Sequence, residues 1–595
     1  MKVTATKVLS IVLIIFLIGS VSPLQTLAKN QQTETEEVAE GTDGMVSTSH
    51  PLATEIGAEI LKKGGNAVDA SVAVQFALNV VEPYMSGIGG GGFMMVYDAD
   101  TEDISIINSR ERAPEGAKPD MFLDEDGKII PFSVRSTSGD AVGVPGTLKG
   151  LEEALDKWGT RPIQQLITPA VKLAEKGFEV DRQLVQAIEE NEGKLSKSAA
   201  ADVFLPDGKP LEEGTIFKQE DLAHTLKLIR SDGSDVLYDG KIGKALAETV
   251  QDFEGSMAEK DLQNYDVTVD DAVYGDYKGY EIASMPPPSS GGLFLLQMIK
   301  MLEDFDISQY DSRSVEKYHL LSEVMRLAYA DRAAFAGDPE FVDVPMEGLL
   351  HPDYIQERKG LLSVDEINEN VKAGDPWKYE DAEQTKEVVE QEDDKEIGET
   401  THFTVADKWG NVVSYTTTIE QVFGTGIMVP EYGFMLNNEL TDFDARPGGA
   451  NEVQPNKRPL SSMTPTIVLE DGKPVLTLGS PGGPTIIASV LQTFLNIIEY
   501  DMDLKEAIEE PRIYNSHTSL TRWEEGVPEE VREDLVEMGH RYENSPRSIG
   551  NVQSILIDHE NGTYYGAADS RREGAAMGVS SNGNGLKLSL KLKLK

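Results

Sequence analysis

The sequence predicts a mixed α/β protein, and three observations carry that expectation. Stretches with helical spacing of apolar residues, such as 50–63 and 315–335, are interspersed with short runs rich in Thr, Val, Phe and Tyr. Two such runs, 400–406 and 412–419, flank Asp407-Lys408-Trp409-Gly410-Asn411, whose Asp, Gly and Asn suit a hairpin loop. Gly-rich junctions near 87–92 and 479–483 mark tight turns between elements.

Taken in order, residues 1–28 read as a secretory signal. Lys2 and Lys7 precede an apolar run over 8–21, shorter than the roughly 20 residues of a membrane span, and Thr26-Leu27-Ala28 offers small residues for cleavage. An uncleaved anchor is the alternative. Residues 29–44 are polar and acidic and are expected to form a disordered leader. A helix over 50–63 ends at Gly64-Gly65, and Asn66 caps a second over 67–80. Gly87, Gly89 and Gly92 spell G-x-G-x-x-G, but a helix precedes and a strand follows, the reverse of a dinucleotide site. These glycines are expected to allow close backbone packing. A strand over 104–108 delivers Arg110 and Arg112. Helices are predicted over 147–157, 163–176, 219–229, 241–252, 293–302, 315–335 and 486–500, and a strand over 434–438.

Residues 376–399 are crowded with Glu, Asp, Gln and Lys and are expected to form a solvated loop open to cutting. Thr400 follows at the start of a strand. A threonine hydroxyl is a weak nucleophile until a base takes its proton, and cleavage between Glu399 and Thr400 supplies Thr400 with its own α-amine for that task. Thr418, near the end of the second strand, is expected to return beside Thr400 and orient its hydroxyl. The competing reading of a Thr-Thr pair at a strand start is ordinary β-propensity.

Several segments together raise the nucleophile reading: Thr-Thr-His-Phe at 400–403, Asp-Lys-Trp-Gly-Asn-Val-Val at 407–413, Phe-Gly-Thr-Gly-Ile at 423–427, Leu-Asn-Asn-Glu at 436–439, and Pro-Asn-Lys-Arg-Pro-Leu-Ser-Ser-Met at 455–463. So do Gly-Gly-Asn-Ala-Val-Asp-Ala at 64–70 and Ser-Met-Pro-Pro-Pro-Ser-Ser-Gly-Gly at 284–292. The chain resembles the γ-glutamyltranspeptidases over about 44–578. The resemblance implies an N-terminal-nucleophile hydrolase with a four-layer αββα sandwich, self-cleaved into a large subunit (45–399) and a small catalytic subunit (400–579) that stay together as a heterodimer. It implies γ-glutamyl transfer from donors such as glutathione to water, amino acids or peptides, without metal or organic cofactor.

By motif position, Arg110 pairs with the donor α-carboxylate, with Arg112 as the less favoured neighbour, and Ser461 and Ser462 hydrogen-bond the same group. Glu420, Glu439 and Asp442 surround the α-ammonium, although many family members carry Asn and Gln where Glu420 and Glu439 stand. The main chains of Gly482 and Gly483 form the oxyanion hole, as consecutive N–H groups at a helix start can. The short stretch between Asp442 and Asn456, where many relatives have a longer covering segment, predicts an open site. The run 409–427 also resembles the branch that processes capsule poly-γ-glutamate. Arg571 and Arg572 are expected either to pair with nearby acids or to face a polyanionic chain.

Composition sets limits. The 595 residues include no Cys, which excludes disulfides, thiolate metal sites and lipoprotein attachment. With 54 Lys and Arg against 102 Asp and Glu the formal charge is −48, a surface that repels nucleic acid and anionic membranes. A saline habitat is one reading and a merely acidic secreted protein the other. The eight His form no ligand-like cluster. No G-x-S-x-G or H-E-x-x-H occurs, which removes the usual serine-hydrolase and zinc-protease alternatives. The remaining alternative to an enzyme is an unprocessed surface protein that keeps the fold and only binds anionic polymer or a host partner. The tail over 580–595 alternates Leu and Lys, suiting either contact with anionic wall polymer or a loose tail resting on the acidic body.

Overall fold

A computed structural model describes residues 38–380 and 398–581. The signal segment, the central part of the acidic loop and the Leu-Lys tail lie outside the described residues. Fourteen strands build two seven-stranded sheets. They are β1 (Ala39–Gly41), β2 (Gly44–Thr48), β3 (Gly91–Asp98), β4 (Asp103–Asn108), β5 (Thr268–Asp271), β6 (Val273–Tyr277), β7 (Tyr280–Ser284), β8 (Thr401–Asp407), β9 (Val412–Thr418), β10 (Thr466–Glu470), β11 (Lys473–Leu478), β12 (Gln553–Asp558), β13 (Thr563–Ala568) and β14 (Ala575–Val579). One sheet runs β1-β13-β12-β11-β10-β7-β6 and the other β14-β2-β8-β9-β3-β4-β5, with antiparallel neighbours throughout. In both, strands from before and after Thr400 interleave.

The alternation of side chains along each strand sets the layers. Met45, Ala406, Val412, Ile467 and Ile555 meet in a core between the sheets. Their neighbours Val46, Val405 and Val413 face a second core under α1 (Pro51–Lys62), α2 (Ala67–Val81) and α3 (Thr147–Trp158). Val468 and Leu556 face a third core under α4 (Gly291–Leu302), α5 (Val315–Phe335) and α6 (Thr485–Ile498). A period of two buries both faces of each sheet, and the result is the expected αββα sandwich.

Local signals account for the helices. Nδ1 of His50 accepts from the Leu52 amide at the start of α1, with Pro51 in the first turn, where its missing N–H costs nothing. Asn66 and Asp69 form a reciprocal capping box on α2. Ser314 caps α5 by accepting from the Lys317 amide.

Four expectations need correction. The end of the 29–44 leader is ordered: β1 and the start of β2 lie at 39–44, because an edge strand needs backbone partners more than apolar side chains. Residues 434–438 form no strand. Met435 makes a single bridge to Met428, and the Asn437 side chain takes the place of a strand partner by donating to the Gly89 and Gly143 carbonyls. The predicted 163–176 helix is two, Ile163–Leu166 and Thr168–Lys176, with Pro169 opening the second. The start of the expected solvated loop, Pro376–Tyr379, is a 3-10 turn whose Trp377 packs on the third core.

Candidate active site

The β8–β9 hairpin pairs Thr401 with Thr417 and His402 with Thr416. This register returns Thr418 to Thr400, whose Oγ1 donates to Thr418 Oγ1 at 3.3 Å. Thr418 in turn donates to the Glu399 carbonyl at 2.8 Å and accepts from the Glu420 amide at 2.8 Å. The hydroxyl of Thr418 is therefore fully used, and all of it is spent around the Glu399–Thr400 peptide. Both threonines are buried.

The Gly-rich turn positions this hairpin as expected: a Cβ at Gly90 would collide with the Thr418 carbonyl. Glu420, just past β9, has φ 77, a left-handed backbone that non-glycine residues seldom adopt. There its carbonyl accepts from the Glu399 amide at 2.6 Å. Gly398 passes so close that a Cβ would stand 2.7 Å from Glu420 Oε1.

A cavity of about 290 Å³ opens beside Thr400, lined by Thr418, Gly483, Arg110, Glu420, Glu439, Asp442, Ser461 and Ser462. The structure thus brings together residues from both sides of the junction. Gly482 and Gly483 both have positive φ, and their amides point to no acceptor among the described residues at the start of α6. Ser461 is held by the Pro-Pro-Pro-Ser-Ser turn: its amide donates to the Pro288 carbonyl and its carbonyl accepts from the Ser290 amide and hydroxyl. That turn builds this wall of the cavity.

Arg110 is buried and committed. It donates to Glu439, to Asp442 at 2.6 Å, and to the Pro459 and Leu460 carbonyls. Burial alone would lower its pKa, but the carboxylates of Glu439 and Asp442 hold it above the ordinary value. Burial pushes Glu439 up to about 7 despite Arg110. Glu420 is driven well above the carboxylate range by burial and then by the charges of Asp442 and Glu439. Sequence reasoning missed Glu111, which is fully buried beside Arg110, with neither carboxyl oxygen hydrogen-bonded among the described residues. Burial, and after it the Glu439 charge, raise its pKa strongly.

Arg112 lies outside the cluster in an ion pair with Glu340. Arg571 pairs with Glu524 and Asp569, and Arg572 with Glu399, so ion pairing is the outcome for both. Arg572 also donates to the Thr400 carbonyl at 3.1 Å. Among the described residues no group of three or more His, Asp or Glu could hold a metal ion.

The Gamma-glutamyltranspeptidase family model matches residues 53–579. The chain is 65% identical over 583 residues to the glutathione hydrolase proenzyme of Bacillus subtilis (strain 168), covering 98% of this chain and 99% of that one. Among solved structures, a cephalosporin acylase from Bacillus halodurans superposes with a TM-score of 0.82 at 25% identity, covering 92% of this chain and 98% of that one. The Helicobacter pylori γ-glutamyltranspeptidase is 36% identical, with a TM-score of 0.54 over 56% of this chain and 97% of that one. With this sandwich, this hairpin and these matches, the chain belongs to the γ-glutamyltranspeptidase family, enzymes of the N-terminal-nucleophile type that transfer and hydrolyse γ-glutamyl groups.

Proposed function

We propose that the protein matures by cutting itself before Thr400 and then cleaves γ-glutamyl amides, with glutathione as the small-molecule donor. The observation that carries this reading is the hydroxyl relay Thr400–Thr418–Glu399 carbonyl, which joins a nucleophile, its orienting partner and the carbonyl to be cut in one hydrogen-bonded chain. In the uncut chain Thr400 Oγ1 attacks the Glu399 carbonyl. The C–N bond breaks, the proton passes to the Thr400 nitrogen, and water then hydrolyses the resulting ester. In the mature enzyme the freed amine takes the hydroxyl proton as Thr400 attacks the γ-carbonyl of a donor, and the Gly482 and Gly483 amides receive the developing oxyanion. The proton leaves with the departing amine, and water or an amine acceptor releases the glutamyl group.

Recognition of the donor follows from charge. Asp442 and Glu439 beside Arg110 attract an ammonium, and Glu420, its carboxyl kept neutral by burial and by their charges, offers it a hydrogen-bond acceptor. A zwitterion inserts into the existing ion pairs: its carboxylate takes an edge of Arg110 with the Ser461 and Ser462 hydroxyls, and its ammonium takes the displaced acids. A second donor, poly-γ-glutamate, is favoured by the short 443–455 segment, which folds back on itself through Asp444 and Asn451. Export through residues 1–28 to a saline medium completes the reading, and a melting temperature unmoved across a salt series would refute the salt adaptation.

The test gives the mature protein glutathione and poly-γ-glutamate in parallel and follows cysteinylglycine, free glutamate and polymer length by mass spectrometry. Rapid cysteinylglycine release with intact polymer supports the glutathione reading. Fast polymer shortening with slow glutathione turnover replaces it with the second.

A further inference from the structure

The acids of the cavity gather around Arg110, but its lining also includes Arg332, Tyr329, Tyr514 and Arg522. These four form a continuous strip. The Arg332 guanidinium stands 6.0 Å from the Tyr329 ring, Tyr329 meets Tyr514 edge-on at 5.4 Å, and the Arg522 guanidinium stands 6.0 Å from the Tyr514 ring. The strip is fixed beside the oxyanion turn, because the Tyr329 hydroxyl donates to the carbonyl of Pro484, directly after Gly482-Gly483. It runs on to the segment Ser516–Ser519, which also lines the cavity and whose Thr518 is exposed.

The charge state of the strip is unlike the rest of the molecule. Acidic side chains outnumber basic ones 102 to 54, yet Arg332 has no carboxylate within ion-pair distance among the described residues. Its Nε and Nη2 donate only to the neutral hydroxyls of Ser290 and Ser462, at 2.7 and 2.9 Å, and Nη1 is uncommitted. Arg522 faces Glu543 with Nε at 3.6 Å, and that Nε has no hydrogen-bond partner. Arg332, held at the cavity wall by two neutral hydroxyls with no acid partner among the described residues, and Arg522, whose ion pair with Glu543 is long at 3.6 Å, make a site for an anion from outside. A planar carboxylate fits their fork.

We propose that the Arg332–Arg522 strip is a second carboxylate subsite, which binds the carboxylate carried by the amine side of the scissile amide. The inference rests on the γ-glutamyl reading above and extends it: the preferred leaving groups are amino acids, peptides or further γ-linked glutamyl units with a carboxylate near the amide, rather than neutral amines. Because the acceptor enters where the leaving amine departs, the same strip selects amino acids and peptides as acceptors. The acids around Arg110 read the donor ammonium, and the strip reads the charge across the bond.

The test uses the mature protein and two chromogenic donors, γ-glutamyl-4-nitroanilide and γ-glutamyl-3-carboxy-4-nitroanilide, which differ by one carboxylate on the leaving amine. The expected result is that Arg522→Gln lowers the ratio of kcat/KM for the carboxylated donor to that for the plain donor by about tenfold, chiefly through KM, as loss of one charge-assisted contact does. Arg522→Lys restores part of the ratio. In the wild type alone, added salt lowers the same ratio by screening, a measurement that does not depend on the variants folding. A ratio that stays within about twofold of wild type in Arg522→Gln, or that ignores salt, overturns the subsite. Failure of the wild type on both donors overturns the γ-glutamyl reading and the subsite with it.

Discussion

Replacing Thr418 by Val keeps the shape of the side chain and removes one hydroxyl, and its effect on self-cleavage can be worked out from three contacts. The hydroxyl donates to the Glu399 carbonyl, accepts from Thr400 Oγ1 and accepts from the Glu420 amide. The first contact matters most for rate, because the Glu399 oxygen gains negative charge as Thr400 attacks. Removing one such donor costs about 2.7–4 kcal/mol of activation free energy, or about 10²- to 10³-fold in rate. Loss of the Glu420 contact instead strands a buried amide and costs about 1–3 kcal/mol of stability, since Glu420 must keep its left-handed backbone without it. The two effects separate experimentally. Chain made in a cell-free system and sampled over time on a denaturing gel gives the cleavage rate, and thermal melting of the uncut protein gives the stability. Thr418→Val is expected to slow cleavage by two to three orders of magnitude, whereas Thr418→Ser, which keeps the hydroxyl, stays within about tenfold of wild type. Cleavage of Thr418→Val within about threefold of wild type would refute the relay, because the donor to the carbonyl would then contribute nothing.

Three further outcomes are expected. Arg512 and Asp569 form a fully buried ion pair at 2.9 Å, so Asp569→Ala leaves the Arg512 guanidinium without its carboxylate while Arg571 keeps Glu524; a loss of about 3–5 kcal/mol in urea denaturation is expected. His402 is buried with its pKa lowered to about 3 by desolvation, against about 6.5 when unfolded, so the unfolded chain binds the extra proton between those values. Stability is therefore fully present above about pH 6.5 and falls by up to about 1.4 kcal/mol per unit as pH drops below it, and His402→Asn, measured by melting at pH 7 and pH 5, is expected to lessen that acid loss by about 2 kcal/mol. Glu439 titrates at about 7 and must be ionised to meet a donor ammonium, so kcat/KM falls below that pH; in Glu439→Gln the acid limb is expected to lose one proton in slope.

The central hairpin was legible because β8 and β9 are rich in Thr, Val, Phe and Tyr and the Asp407–Asn411 loop carries its own turn chemistry. The helices announced themselves by apolar spacing over 50–63 and 315–335 and by the cap at Asn66. What escaped the sequence was whatever depends on distant partners. The strand-like run at 434–438 is satisfied by Asn437 reaching Gly89 and Gly143, some three hundred residues away. Residues 39–41, Ala-Glu-Gly, become a strand only because β13 supplies the partner. In the site, the motifs located each group but not its neighbours: Arg110 meets Glu439 and Asp442 through the fold alone, Glu111 reads as one acid among 102, and Arg332 lies on a helix whose pattern shows only packing.

Strands from the two sides of Thr400 alternate within both sheets: β8 and β9 lie between β2 and β3 in one, and β10 to β13 lie between β1 and β7 in the other. A cut at Thr400 therefore leaves the contacts standing but changes the molecularity of folding. The uncut chain threads these strands as one molecule, at a rate independent of concentration. Once cut, a denatured enzyme is two chains that must find each other and re-interleave from solution, in competition with self-association of each half. On the proposed self-cleavage each active molecule is assembled only once, and a chain that has not brought Thr418 to Thr400 is expected to stay uncut, so that the active population would consist of copies that folded correctly first.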